Sequence, residues 1–217
     1  MLKAVLFDMD GVIVDTEPLH RKAYHQMFKD VSINVNEDLY ASFTGQSTIN
    51  ICRRLVDQFG LNKTPEFLMA LKRQHYKTFF ENDDLELIEG VLDRIKDYHA
   101  NDVTLVVASS ASMLGINQIF ERFDLNQYFS AKFSGADLKQ SKPHPEIFIK
   151  ASKSTGFKKS ECIVIEDSTN GIQAANAADI FCVGLKSTHS LHQDYSLANK
   201  VISNFKEIKY SEIVDII

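Results

Sequence analysis

Residues 4–12 read Ala4-Val5-Leu6-Phe7-Asp8-Met9-Asp10-Gly11-Val12. Four consecutive apolar residues make a short strand with no solvent face, which is the pattern of a strand buried on both sides of a parallel sheet. The run ends at two aspartates two positions apart, followed by a glycine. In open α/β sheets the carboxyl ends of the strands are where ligands bind. Two carboxylates this close repel unless a cation neutralises them or one carboxyl keeps its proton, and Mg²⁺ accepts oxygen ligands of this kind. Taken alone, Asp-x-Asp-Gly also fits a calcium loop or a plain acidic turn, so its meaning depends on what else reaches the same edge.

Apolar runs recur at 103–108, 163–165, 181–185 and 201–202, each bounded by polar or turn residues. Between them apolar residues fall at helical spacing, as in Val91, Leu92, Ile95 and Tyr98, or Ile116, Ile119, Phe120 and Phe123. Alternating strand and helix predicts an α/β fold with a parallel sheet and right-handed crossovers. The interval 16–84 breaks the rhythm: it carries helical patterns (Leu19, Ala23, Met27; Ile51, Leu55, Phe59; Phe67, Leu68, Leu71, Phe79) and no buried strand. It reads as a helical insertion, residues 16–84, within a core made of residues 1–15 and 85–217. Pro18 and Pro65 suit the first turns of two of its helices.

Three further segments end apolar elements with reactive groups. The second core run ends in Ser109-Ser110, whose hydroxyl either binds phosphoryl oxygens together with backbone N–H groups or caps the next helix. In Ser141-Lys142-Pro143-His144-Pro145-Glu146 a lysine sits on a loop stiffened by prolines, suited to neutralising a transferring phosphoryl group or an attacking carboxylate. Ile163-Val164-Ile165-Glu166-Asp167-Ser168 repeats the design of the first strand, its two acids completing a metal site or forming a turn.

Composition narrows the class. The 217 residues are 44% hydrophobic and 24% charged, the balance of a globular chain with one large domain or a domain bearing an insertion. A formal net charge of -5 leaves no footprint for nucleic acid. Cys52, Cys162 and Cys182 are odd in number and widely spaced, which predicts packing residues in a reducing compartment. The first residues turn acidic at Asp8 before a signal-peptide core could form, and no apolar run is of membrane-spanning length. The expectation is a cytoplasmic protein without nucleic-acid or membrane partners, and nothing demands more than a monomer.

In this order the four segments resemble the motifs of the haloacid dehalogenase superfamily of hydrolases: Asp8-Met9-Asp10-Gly11 the first, Ser109 the second, Lys142 the third and Glu166-Asp167 the fourth. The likeness spans essentially the whole chain. The helical insertion resembles the family's small α-helical cap, and Asp15-Thr16-Glu17-Pro18-Leu19-His20 resembles the phosphatase and β-phosphoglucomutase branch. The resemblance implies a Rossmann-like, three-layer parallel-sheet core with an inserted helical cap domain. It implies a Mg²⁺-dependent phosphatase acting on a small phosphorylated metabolite, with a sugar phosphate expected. Asp8 would attack phosphorus to give an aspartyl-phosphate, while Asp10 would protonate the leaving oxygen and then activate water. Mg²⁺ would be held by the Asp8 side chain, the Asp10 backbone carbonyl and Asp167, with Glu166 nearby or acting through water. Ser109, Ser110 and Lys142 would bind phosphoryl oxygens, and Lys142 would also orient Asp8. By likeness Glu17, His20, Gln46, Ser47 and Thr48 are the substrate-facing residues of the cap, with His20 able to bond a substrate hydroxyl or shuttle a proton.

Three other readings compete. A β-phosphoglucomutase needs a cap arginine that the resembling subgroup carries in a Gly-x-Ser-Arg stretch; here the stretch is Gly45-Gln46-Ser47-Thr48, and Arg53 and Arg54 read as exposed helical residues. A metal-independent dehalogenase is expected to lack the second acid, and Asp10 is present. A non-catalytic phosphate-binding protein has no need of both Asp8 and Asp10.

Overall fold

The computed structural model describes residues 1–43, 47–186 and 193–214. In chain order its strands and α-helices are β1 (Ala4–Phe7), α1 (Glu17–Asp30), α2 (Glu37–Ala41), α3 (Thr48–Phe59), α4 (Pro65–Asn82), α5 (Val91–Ala100), β2 (Thr104–Ser109), α6 (Met113–Arg122), β3 (Phe129–Ser134), α7 (Glu146–Ser154), β4 (Cys162–Glu166), α8 (Thr169–Ala177), β5 (Phe181–Leu185), β6 (Lys200–Ile202) and α9 (Tyr210–Ile213). The chain divides into two compact units, one of Met1–Asp15 with Glu86–Ile217 and one of Thr16–Leu85.

The first unit is a six-stranded parallel sheet in the order β3-β2-β1-β4-β5-β6. From β1 the chain winds outward through β2 to β3, then returns to β4 beside β1 and winds the other way. The β1/β4 junction is therefore where the winding reverses, the position at which open α/β sheets open a crevice beyond the strand ends. Register sets what arrives there: Phe7 pairs with Val107 on one side and Ile165 on the other. Asp8, Ala108 and Glu166 are consequently level with one another at that edge.

Alternation along the strands feeds two cores. Ala4, Leu6, Val106, Ala108, Val164 and Cys182 pack with Ile147, Phe148 and Ala151 of α7 and Ile172, Ala174 and Ala175 of α8. Phe7 points the other way and meets the rings of Tyr98 in α5 and Phe129, while Phe120 of α6 meets Phe129 edge-on at 5.0 Å. Helices thus cover both faces, giving three layers. A fully buried Leu6 or Phe148 contributes roughly 1.5–3 kcal/mol of transfer free energy.

One strand escapes the apolar-run criterion. β3, Phe-Ser-Ala-Lys-Phe-Ser, lies at the sheet edge and pairs only with β2, so Ser130 is exposed and Lys132 half-buried. An edge strand alternates where inner strands run continuously apolar.

The second unit has its own core of Tyr24, Met27, Phe28, Val35, Phe43, Ile51, Cys52, Leu55 and Leu68. Pro65 opens α4 behind the Thr64 N-cap, and α3 starts at the Ser47 N-cap and stops at Gly60, whose φ of 60° is the left-handed conformation a helix C-cap favours. All three cysteines are buried and free. Among the described residues no helix is long and apolar enough to cross a membrane.

Candidate active site

The first unit brings Asp8, Asp10, Ser109, Lys142, Glu166 and Asp167 to one sheet edge. Asp8 follows β1 directly, its backbone N–H donating to the Ile165 carbonyl at 3.0 Å. The chain then turns on itself: the N–H groups of Val12, Ile13 and Val14 all point at the Met9 carbonyl, and Gly11 N–H donates to Val14 at 2.8 Å. Gly11 has φ 83°, and a Cβ there would lie 2.2 Å from Asp167 Oδ2. Glycine is required on both counts, and the near-collision places the Asp167 carboxylate directly over the first loop.

Lys142 is the cation of the cluster. Its ammonium donates to Asp8 Oδ1 at 2.5 Å and to Glu166 Oε1 at 2.7 Å, and its side chain is 6% exposed. The Lys142–Pro143 peptide bond is cis, and the ammonium lies 4.8 Å from the Phe148 ring centroid. Pro145 stands at the N-cap of α7. Glu166 is fully engaged: while Oε1 accepts from Lys142, Oε2 accepts from Ser168 N–H at 2.8 Å and Ser168 Oγ at 2.9 Å. A Cβ on Gly171 would lie 1.9 Å from the Glu166 carboxyl carbon, so α8 can pass here only with glycine.

Ser109 is completely buried, and its Oγ accepts from Ala111 N–H at 3.0 Å and donates to Asp10 Oδ2 at 3.4 Å. The N-cap of α6 is Ser112, so the capping alternative for Ser109 is not realised. Ser134 Oγ donates to the Ala111 carbonyl at 2.9 Å and ties down the loop that carries the exposed Ser110. At the fourth segment the N-cap is Ser168, not either acid.

The electrostatics are lopsided. Four carboxyl groups share one ammonium. Burial raises the Asp8 carboxyl to about 7; Lys142 pulls against this, and Glu166 and Asp10 push with it. Burial, then the charges of Glu166 and Asp8, hold Asp167 well above the ordinary carboxylate range. Lys142 is pulled down by burial, but the charges and hydrogen bonds of Asp8 and Glu166 outweigh that and hold it above the usual lysine range.

This donor set suits a hard divalent cation. Among the described residues no group of three or more His, Cys, Asp and Glu is arranged to hold a metal ion. With both Glu166 oxygens occupied and Asp10 Oδ2 accepting from Ser109, the Asp8 and Asp167 carboxylates are the best placed to offer oxygens to a cation. Mg²⁺ is commonly bound in just that way, through one or two carboxylates while keeping several waters.

The remaining candidates belong to the second unit, except Gln46, which lies outside the described residues together with Gly45. Glu17 begins α1 and accepts from Tyr40 Oη at 3.4 Å. Ser47 caps α3, its Oγ accepting from Asn50 N–H, and Thr48 is the first residue of that helix. Arg53 and Arg54 are exposed, donating to Asn50 Oδ1 and Ser42 Oγ. His20 stacks on Tyr76 at 4.5 Å, and its Nδ1 lies 2.6 Å from Lys72 Nζ. An ammonium has only protons to give, so Nδ1 accepts and the neutral ring carries its proton on Nε2. Burial, with the Lys72 charge second, pushes this imidazole down to about 3. His20 is therefore held neutral, with Nε2–H as the proton it can donate.

Lys72 itself was not singled out from the sequence. It is 4% exposed, and its ammonium also lies 5.0 Å from the Tyr24 ring centroid and 4.9 Å from that of Tyr76. The signal was present: Leu68, Lys72, Tyr76 and Phe80 fall four apart on one stripe of α4, a lysine set among apolar and aromatic residues.

Residues 5–185 match the haloacid dehalogenase-like hydrolase family. The chain belongs to this family. It is 28% identical over 184 residues to the fructose-1-phosphate phosphatase YqaB of Escherichia coli, covering 84% of this chain and 95% of that one. It is 28% identical over 179 residues to a phosphorylated carbohydrates phosphatase of Thermotoga maritima, covering 82% of each. The structure of a β-phosphoglucomutase from Clostridium difficile superposes with a TM-score of 0.78 at 26% identity, covering 99% of this chain and 96% of that one. This haloacid dehalogenase-like hydrolase accordingly has the family's α/β sheet fold as well as its sequence pattern.

Proposed function

We propose that this hydrolase is a Mg²⁺-dependent phosphatase that cleaves a small sugar phosphate through an aspartyl-phosphate on Asp8. The observation that carries the reading is the Lys142 ammonium bound between Asp8 and Glu166 beside a serine hydroxyl and a second aspartate. Lys142 fixes Asp8 through Oδ1, so attack on phosphorus falls to Oδ2. The P–O bond to the sugar breaks as the Asp8–phosphorus bond forms, and Asp10 gives its proton to the departing sugar oxygen. Asp10, now a carboxylate, takes a proton from water as that water attacks phosphorus, which releases phosphate and regenerates Asp8. Ser109 and Ser110 bind the equatorial phosphoryl oxygens, where negative charge is spread in the transition state. A Mg²⁺ held by the Asp8 side chain, the Asp10 carbonyl and Asp167 would supply the positive charge that keeps Asp8 ionised and offsets its repulsion from an anionic substrate. Glu166 keeps Lys142 in place.

Choice of leaving group is assigned to the polar residues of the second unit: Glu17, His20 as an Nε2–H donor, Ser47, Thr48 and the buried Lys72. The sugar class is supported by the relatives' names, the phosphatase reading over the mutase by the arginine missing after Ser47 and by the engagement of Arg53 with Asn50 and of Arg54 with Ser42.

The test is a panel of phosphorylated sugars with Mg²⁺, following free phosphate and isomer formation together, on wild type and Asp8→Asn. Phosphate release by the wild type that drops by at least about 1,000-fold in Asp8→Asn, as for loss of a covalent nucleophile, is the expected result. Unchanged release by Asp8→Asn sinks the mechanism, and rapid isomer formation with little free phosphate sinks the phosphatase reading in favour of a mutase.

A further inference from the structure

Residues 193–199 follow β5 and grip the turn that carries Asp167. Thr169 N–H donates to Gln193 Oε1 at 2.7 Å, and Asp194 N–H donates to Thr169 Oγ1 at 2.8 Å. The Tyr195 hydroxyl stands 3.0 Å from the Asp167 carbonyl oxygen and 3.2 Å from that of Leu185, its single proton shared between the turn and the end of β5. The ring is seated against the sheet: a Cβ on Gly184 would lie 2.8 Å from Tyr195 Cδ1, and Tyr195 and Ala198 pack on the core of α7 and α8.

Asp167 is thus held from two sides, its backbone carbonyl by Tyr195 and its carboxylate lodged over Gly11. The carboxylate stands among like charges on Glu166, Asp8 and Asp10. Repulsion would swing it toward solvent if the turn could yield. We propose that Tyr195 is a positioning residue for Asp167, fixing the turn so that this carboxylate stays aimed at the Asp8 loop. The proposal rests on the reading of Asp167 as a cation ligand. Mg²⁺ demands near-ideal octahedral geometry and tolerates little displacement of a ligand, and partners that orient ligands typically govern affinity by 10–100-fold.

Tyr195→Phe removes the hydroxyl and keeps the ring against Gly184. Mn²⁺ is the probe, its free concentration followed by electron paramagnetic resonance without substrate. The variant is expected to bind Mn²⁺ about 10-fold more weakly, at the lower end of the range for ligand-orienting groups. The Mg²⁺ concentration for half-maximal hydrolysis should rise by the same factor, with kcat at saturating Mg²⁺ within about 3-fold of wild type. Thr169→Val unpins the same segment by removing the acceptor for Asp194 N–H; it should weaken Mn²⁺ in the same direction, by about 3-fold, and it decides the matter if Tyr195→Phe does not fold. Mn²⁺ affinity within about 2-fold of wild type in a folded variant, or a kcat loss that saturating Mg²⁺ does not recover, overturns the proposal. Asp167→Asn separates the two claims: loss of Mn²⁺ there with none in Tyr195→Phe rejects only the role of Tyr195, whereas undiminished Mn²⁺ binding by Asp167→Asn rejects Asp167 as a ligand.

Discussion

Gly171→Ala is a substitution whose sign depends on the site geometry. Gly171 is the third residue of α8, and inside an exposed helix this change would stabilise by about 1 kcal/mol. Here the new Cβ would lie 1.7 Å from Glu166 Oε1 and 1.9 Å from its carboxyl carbon. A flexible side chain could step aside, but Glu166 is 1% exposed and held by Lys142, Ser168 N–H and Ser168 Oγ. Displacing it removes one partner of a buried ion pair, at roughly 3–5 kcal/mol. The helix gain offsets part of this, leaving a net loss of about 2–4 kcal/mol. For a chain of this size each kcal/mol moves the melting temperature by about 2–4 °C, so thermal unfolding should shift down by roughly 5–15 °C. Hydrolysis should fall by about 100-fold, equivalent to about 2.7 kcal/mol, because Lys142 loses the anchor that aims it at Asp8. A variant that melts at or above the wild-type temperature and keeps its activity within about 2-fold would refute the reasoning, since propensity alone would then govern the position.

Two further substitutions test the charges. Lys142→Met leaves Asp8 and Glu166 buried without their ammonium; unfolding free energy should drop by roughly 3–5 kcal/mol in urea titrations and hydrolysis by about 1,000-fold, and a stable, active Lys142→Met protein would contradict the pairing. His20 has a folded pKa pushed down to about 3, while an unfolded histidine titrates near 6.5. Between these values the unfolded chain binds the extra proton, so the contribution of His20 is fully present above about pH 6.5 and is lost progressively as pH falls toward 3. At pH 5 the deficit is about 2 kcal/mol, and His20→Gln should lose stability between pH 7.5 and 5 by about that much less than wild type; equal losses would show that His20 is not held neutral.

Legibility in the sequence followed burial. Runs with water on neither side announced themselves, and β1 and β5 stand at the residues where continuous apolar stretches predict them. β3 did not, because an edge strand carries Ser130 and Lys132 among its apolar residues and so loses the continuous signature. The four chemical segments were readable because each ends a run with a group that has no packing use there. That the strands bring them level is a matter of register and strand order, which no local pattern contains. The roles of Lys72 and Tyr195, as distinct from the burial that the α4 stripe signals for Lys72, were opaque for another reason. Each derives its role from partners distant in sequence, His20 on another helix and the Asp167 carbonyl 28 positions away.

The charge balance also discriminates between a site that binds phosphate and one that reacts with it. A pocket built to hold a phosphate needs donors and cations, since the ligand is itself an anion. Here Asp8, Asp10, Glu166 and Asp167 face a single lysine, and burial drives Asp8 to about 7 and Asp167 well above its ordinary range. Clustered buried carboxylates are unfavourable for stability and repel an anionic ligand. Their concentration at the strand reversal fits the roles proposed for them: one as the attacking group, one as the proton carrier, one to anchor the lysine and one to hold a cation. Under the proposed mechanism the second aspartate distinguishes a site that reacts with phosphate from one that only holds it.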